Sequence, residues 1–292
     1  MKIKTKNILI ILLVLLLSVP AVFGSQRPPS LGSCSNSRLQ EGLESCLREL
    51  KLDKAAEHNK LSVALVDITD PARPQLAEIN GDRMMYAASL PKIAILLGAF
   101  ERIASGEMEF DAATQDKLTR MIRNSSNQAA TEMLNQVGKL YLADLLQSPK
   151  YRLYDPLYNG GLWVGKDYGK AGAWKRDPLA NLSHGATAFQ VARFYYLLET
   201  GQLVSPESSR EMKNILSKPA IHHKFVKGLQ SRPDAEIYRK SGSWRQYHAD
   251  SAIIEHNGRR YIAVALADDA QGGEWLSRLI VRLDDLIQRL HS

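Results

Sequence analysis

The chain has 292 residues, with 38 Lys+Arg against 31 Asp+Glu and a formal charge of +7. Three of those lysines lie in the first 24 residues, so without them the balance falls to +4, and no Lys/Arg run or aromatic-basic stripe supports a nucleic-acid partner. Two cysteines and the lack of any H-x-H or H-E-x-x-H spacing exclude a cysteine-rich scaffold and a recognisable metal hydrolase.

Met1 to Gly24 opens with Lys2, Lys4 and Lys6, continues as an aliphatic run from Ile8 to Leu17 and ends in mostly small residues. This is the pattern of a secretory signal cut near Ser25, and the run falls short of the roughly 20 residues that span a bilayer. The chain is therefore expected to be periplasmic or secreted, with no membrane contact after cleavage. Residues 25–292 are long enough for one composite domain or two closely packed lobes. Export would let Cys34 and Cys46 pair. Leu39, Leu43, Leu47 and Leu50, however, mark an amphipathic helix carrying Cys46, and a straight helix between the two would hold them apart, so both states stay open. Leu31-Gly32-Ser33-Cys34 also resembles a lipoprotein cleavage box, but stands well beyond the apolar run.

Leu61 to Ile68 and Gln75 to Ile79 read as a hairpin across Asp70-Pro71 to Pro74. Tyr86 to Lys92 then leads into apolar residues at 93, 96, 97, 100, 103 and 104, a helix stopped by Gly106 and expected to begin near Ser89. Ser89 and Lys92 would then lie on one face, one turn apart. Ala113 to Arg123 is a further helix, Asn124-Ser125-Ser126-Asn127 interrupts, and Ala130, Met133, Leu134 and Val137 resume a helical stripe. From Ser148 to Gly185 the chain is aperiodic and rich in Pro, Gly, Tyr and Trp, a length of loop that usually serves a site.

Ala188 to Leu198, closed by Gly201, and Pro206 to Leu216 are helices. Ala235 to Trp244, Ala249 to His256 and Arg260 to Ala267 are consecutive strands, the last two joined by an Asn257-Gly258 turn. Trp275 to Leu290 closes the chain as an amphipathic helix. The fold class is α+β: an antiparallel sheet flanked by terminal helices (about 35–88 and 217–292) plus an all-helical lobe (about 89–216), with the cleft between them the natural site.

Each candidate motif has a bland reading when taken alone. An S-x-x-K arises by chance, Ser125 to Asn127 could be a helix cap, and Lys240-Ser241-Gly242 could be a strand end. Together and in this order, Ser89-Leu90-Pro91-Lys92, Ser125-Ser126-Asn127 and Lys240-Ser241-Gly242 resemble the S-x-x-K, S-x-N and K-[ST]-G set of the class A β-lactamases and D,D-peptidases. The resemblance covers nearly the whole exported chain and implies a β-lactamase/transpeptidase-like fold. It implies Ser89 as nucleophile, Lys92 as its base and Ser125 as proton relay to the leaving nitrogen. Asn127 would bind a substrate amide, Lys240 and Ser241 the substrate carboxylate, and the backbone N–H groups of Ser89 and Ser243 the oxyanion, with Gly242 completing the motif.

Asp177-Pro178-Leu179-Ala180-Asn181 looks like the family's E-P-x-x-N segment with the acid one methylene shorter. Asp177 either holds the deacylating water or forms an Asp-Pro turn, and Asn181, the amide of the segment, would by the resemblance bind substrate. Ser89 and Ser125 are 36 residues apart, closer than is usual in class A, so one cleft rim is shortened. The aromatic-rich loop from Tyr151 to Trp174 either replaces that rim or covers the core. No G-x-S-x-G elbow is present, and His184 and His248 read as structural or substrate-lining.

The function implied is a serine hydrolase forming an acyl-enzyme on β-lactam or related amides, with β-lactam hydrolysis first and a D,D-peptidase or slowly deacylating penicillin-binding sensor as the alternative. No cofactor or metal is called for. The partner is a small β-lactam or a peptidoglycan-peptide-like molecule, and the chain is expected to be a monomer.

Overall fold

The computed structural model describes residues 29–291, and the expected signal segment lies outside them. A turn at Leu31–Ser33 leads into α1, Ser37–Leu50, capped by the Asn36 side chain accepting from Leu39 N. After α2, Asp53–Glu57, come β1, Leu61–Asp67, and β2, Gln75–Ile79, the expected hairpin, with Val63 opposite Ile79. A short β3, Met85–Tyr86, precedes α3, Lys92–Ala104, after which α4, Ala112–Arg123, α5, Asn127–Val137, and α6, Lys139–Gln147, complete the helical segment.

The aperiodic stretch contains four short strands: β4, Tyr154–Asp155, β5, Gly160–Gly161, β6, Trp163–Val164, and β7, His184–Ala186. Then follow α7, Ala188–Glu199, α8, Pro206–Leu216, and α9, Phe225–Gly228. The chain ends with β8, Glu236–Trp244, β9, Tyr247–His256, β10, Arg259–Asp268, and α10, Gly272–Leu290. Asn257 and Gly258 both have positive φ, 49° and 72°, as a two-residue hairpin turn between twisted strands requires.

The main sheet has the order β2-β1-β10-β9-β8 and is antiparallel throughout. Alternation along β1 sorts its side chains: Leu61, Val63 and Leu65 enter a core with α1 and α10, whereas Ala64 and Val66 enter a second core with α3 and α7. That second core runs without a break from the sheet into α4, α5 and α6. The sheet and the helical segment therefore share one interior, and α7, assigned from sequence to the helical lobe, packs on β1 and β10.

One expectation is corrected and one open alternative is resolved. The helix carrying Lys92 begins at Lys92, not near Ser89; Ser89 lies in the preceding turn, where Leu90 N bonds to Ala87 O at 3.0 Å. Pro91 keeps Leu90 out of regular helix, so the nucleophile candidate sits ahead of the first turn. Among the described residues both cysteines are free thiols. Helix α1 is unbroken from Ser37 to Leu50, which by itself puts about 14 Å of rise between Ser37 and Cys46, and Cys46 faces Arg282 O of α10 at 3.6 Å.

Candidate active site

Ser89 is half-buried, directly after Ala88, which holds φ +50°. A side chain in the left-handed region is strained, and the strain fixes the turn that presents Ser89. The same turn is clamped by β8. A Cβ on Gly242 would fall 2.1 Å from Ala87 O and 2.8 Å from Ser89 N, so only glycine permits this approach. It brings the Ser89 amide and the strand that carries Ser243 together, the arrangement a two-donor oxyanion site needs.

Lys92 is fully buried in the first turn of α3. Its Nζ donates to Ser125 O at 2.6 Å, Asn127 Oδ1 at 2.9 Å, and Ser125 Oγ and Ser126 O at 3.3 Å. Burial alone pushes its pKa down to about 7, because a desolvated ammonium is disfavoured. Ser126 caps α5 by accepting from Ala129 N, while Ser125 is forced to φ +55° and its hydroxyl is left for the two lysines.

Lys240 enters from β8. Its Nζ reaches Ser125 Oγ at 3.0 Å and Ser241 O at 2.7 Å. Desolvation first, then the neighbouring Lys92, hold its pKa well below the usual lysine range. The Lys240 carbonyl accepts from Ser251 Oγ at 2.8 Å, and the Tyr195 hydroxyl of α7 bonds that serine at 3.1 Å. Ser241 is buried opposite Asp250 of β9, and Ser243 is exposed opposite His248.

Three residues on or beside this strand had no motif to announce them. Arg239 and Asp250, diagonal partners across β8 and β9, form a buried two-pronged ion pair with both contacts at 2.7 Å. Lys224, in a strained conformation at φ +52°, donates to Gly242 O at 2.5 Å, Ser243 Oγ at 2.8 Å and Ala249 O at 3.1 Å. Burial pulls its pKa down to about 8. Lys92, Lys240, Lys224 and Arg239 thus crowd a region in which Asp250 is already committed to Arg239. Such a region favours an anionic ligand.

Asp177 is buried but serves its own loop. Oδ1 accepts from Leu179 N at 3.1 Å, Ala180 N at 2.9 Å and the Tyr154 hydroxyl at 3.0 Å, and Oδ2 accepts from Leu182 N at 2.6 Å. The hydrogen bonds of Lys92 described above do not include it, and Asn181 is exposed with φ +55°, its carbonyl taken by Arg176. The structure therefore gathers Ser89, Lys92, Ser125, Asn127, Lys240 and Gly242 and gives the Asp177 carboxylate the contacts of a turn. Of the aromatic-rich loop, Tyr168 lies with its ring centroid 4.6 Å from Lys92 Nζ. The His184 ring packs against Tyr168 at 4.3 Å, tilted by 42°, and burial pushes its pKa down to about 4, so it is neutral near pH 7. Among the described residues no group of three or more His, Cys, Asp or Glu is placed to hold a metal ion.

Among solved structures, a β-lactamase from Sphaerobacter thermophilus is similar over 86% of this chain and 97% of its own, with TM-score 0.64 and 17% identity. PBP-A is similar over 90% and 98%, with TM-score 0.65 and 16% identity. An acyl-enzyme complex of a PBP-A variant with penicillin G is similar over 87% and 98%, with TM-score 0.66 and 16% identity. At these identities the likeness is one of fold. No curated protein matches the sequence. A profile of the β-lactamase enzyme family matches residues 43–117 and 112–289, nearly all of the described chain, and with it the chain belongs to that family.

Proposed function

We propose that this chain is an exported serine hydrolase that opens β-lactams or related amides through an acyl-enzyme on Ser89. The observation that carries the reading is the continuous link Lys92–Ser125–Lys240 beside a clamped Ser89. Lys92, whose lowered pKa of about 7 leaves a large neutral fraction near neutral pH, takes the Ser89 hydroxyl proton as Oγ bonds to the carbonyl carbon. The amide C–N bond then breaks, and the nitrogen takes the Ser125 hydroxyl proton, which an adjacent lysine replaces. Asn127 holds the substrate amide, and Lys240, Ser241 and Lys224 hold its carboxylate. Water finally attacks the acyl carbon, the ester C–O bond breaks and Ser89 Oγ regains a proton.

The contacts of Asp177 favour slow deacylation, because a carboxylate already accepting four donors is a poor holder of the hydrolytic water. This supports the second reading, a D,D-peptidase or penicillin-binding sensor whose adduct persists. Mixing the protein with a chromogenic cephalosporin and following both turnover and adduct mass separates the two. An adduct on Ser89 with few turnovers is expected; many rapid turnovers favour an efficient β-lactamase, and no reaction with no adduct overturns the proposal. A signal at 1–24, a periplasmic or secreted location, a monomeric state and one hydrolase domain over 25–292 complete the reading.

A further inference from the structure

We infer that Tyr168 is a positioning residue for Lys92: its ring shuts water away from the amine, so that Lys92 acts as base with no carboxylate beside it. The inference rests on the acyl-enzyme reading and names what makes it work.

Lys92 Nζ has two surroundings. On one side are the polar atoms of the 125–127 turn, and on the other is the Tyr168 ring at 4.6 Å. Tyr168 is fixed where it is by a reciprocal pair: its N–H donates to Thr131 Oγ1 and its carbonyl accepts from the same hydroxyl, both at 3.1 Å. Thr131 stands one helical turn after Asn127 on α5, so a single turn of helix supplies both a partner for the lysine and the anchor for its cover. His184 from β7 backs the ring, and its Nε2 is buried without a partner among the described residues.

The Tyr168 hydroxyl is likewise buried and unpartnered among the described residues. What the site uses is therefore the ring and not the phenol. The titratable groups facing Lys92 are Lys240 across Ser125, Tyr168, and His184 behind it, and no carboxylate contributes to the lowered Lys92 pKa, which burial alone accounts for. The aromatic face attracts a cation, but it replaces a hydration shell that would hold the ammonium more strongly, so the net effect favours the free amine.

The test is a titration of the full exported chain labelled with [ε-13C]lysine, the Lys92 resonance being assigned by its loss in Lys92→Arg. Tyr168→Ala is expected to raise the Lys92 midpoint by about one pH unit or more, lowering its neutral fraction about tenfold per unit below the new midpoint. The acid limb of Ser89 acylation by benzylpenicillin should move alkaline by the same amount, and Tyr168→Phe should restore both. Should Tyr168→Ala not fold, Tyr168→Gln fills the space with a polar group and is expected to raise the midpoint too. A midpoint unmoved by the folded variant, or a wild-type midpoint in the ordinary lysine range, overturns the inference. A wild-type midpoint near 7 with no adduct would sink the acyl-enzyme reading and leave the role of Tyr168 standing.

Discussion

Lys92 and Lys240 meet at one atom: each Nζ lies within hydrogen-bond reach of the Ser125 hydroxyl oxygen, at 3.3 and 3.0 Å. Two buried amines converging on one hydroxyl cannot both carry full charge without cost, so a proton handed to that hydroxyl has two exchangeable sources. Ser125→Ala cuts the link. Acylation of Ser89 by benzylpenicillin is expected to fall by roughly 10²–10⁴-fold, the usual size of a lost acid–base step. Stopped-flow mixing with adduct mass checks this, and a rate within a few-fold of wild type would remove Ser125 from the relay.

Stability should rise with pH across the neutral and alkaline range. Unfolded lysines keep their protons to about 10.5, whereas folded Lys92 and Lys224 release theirs at about 7 and about 8. Between these values the unfolded chain binds more protons, so each lysine adds about 1.4 kcal/mol of stability per pH unit. The penalty is complete below pH 7 and absent above 10.5. Urea unfolding at pH 6 and pH 9 should give the higher midpoint at pH 9; equal midpoints would mean that these amines are hydrated.

Asp177→Asn tests a turn against a catalyst. An amide presents one oxygen where the carboxylate accepts from Leu179, Ala180, Leu182 and Tyr154, and a loss of about 1–3 kcal/mol is expected from the mismatched donors. Acylation and deacylation rates of the folded variant should stay near wild type. An adduct that decays tenfold more slowly would return Asp177 to the water-holding role.

Asp250→Asn leaves Arg239 buried and half-paired, a change worth about 3–5 kcal/mol of stability. Because Asp250 also accepts from Phe225 N, next to Lys224, the loss should spread to the α9 end of the site. Thermal unfolding and penicillin affinity should fall together, and a variant as stable as wild type would show that the ion pair contributes nothing net.

Carboxylate binding should take up protons. Lys224 is held near 8 and Lys240 well below its usual range by burial, and an anion beside them reverses that effect. Ser89→Ala, which removes the hydroxyl proposed to be acylated, allows benzylpenicillin binding to be followed alone. Calorimetry near pH 8 in two buffers of different ionisation enthalpy is expected to show net uptake; no uptake would place the carboxylate elsewhere.

Much of this was legible in the chain because local rules and the fold agree. The stripe of Leu39, Leu43, Leu47 and Leu50, the Asn257-Gly258 turn and the Pro206 helix start all sit within one or two residues of their expected places. The three motifs were legible because each is a few adjacent residues. What was not legible is long-range: Lys224 and Ser243, or Tyr168 and Thr131, are partners only after the chain has folded, and no spacing encodes them. Asp177 shows the converse. Its five-residue segment keeps the family's acid–Pro–amide order, but Tyr154 and three amides close on the shorter side chain, so the same order builds a different contact.

The contact of Gly242 with Ser89, too close for a methyl group, joins positions 153 residues apart in the chain. The turn that carries Ser89 is complete only when β8 has docked on it. A labelled penicillin that marks Ser89 would therefore count finished molecules and ignore partly folded ones, making the adduct a stopwatch for the final step of folding.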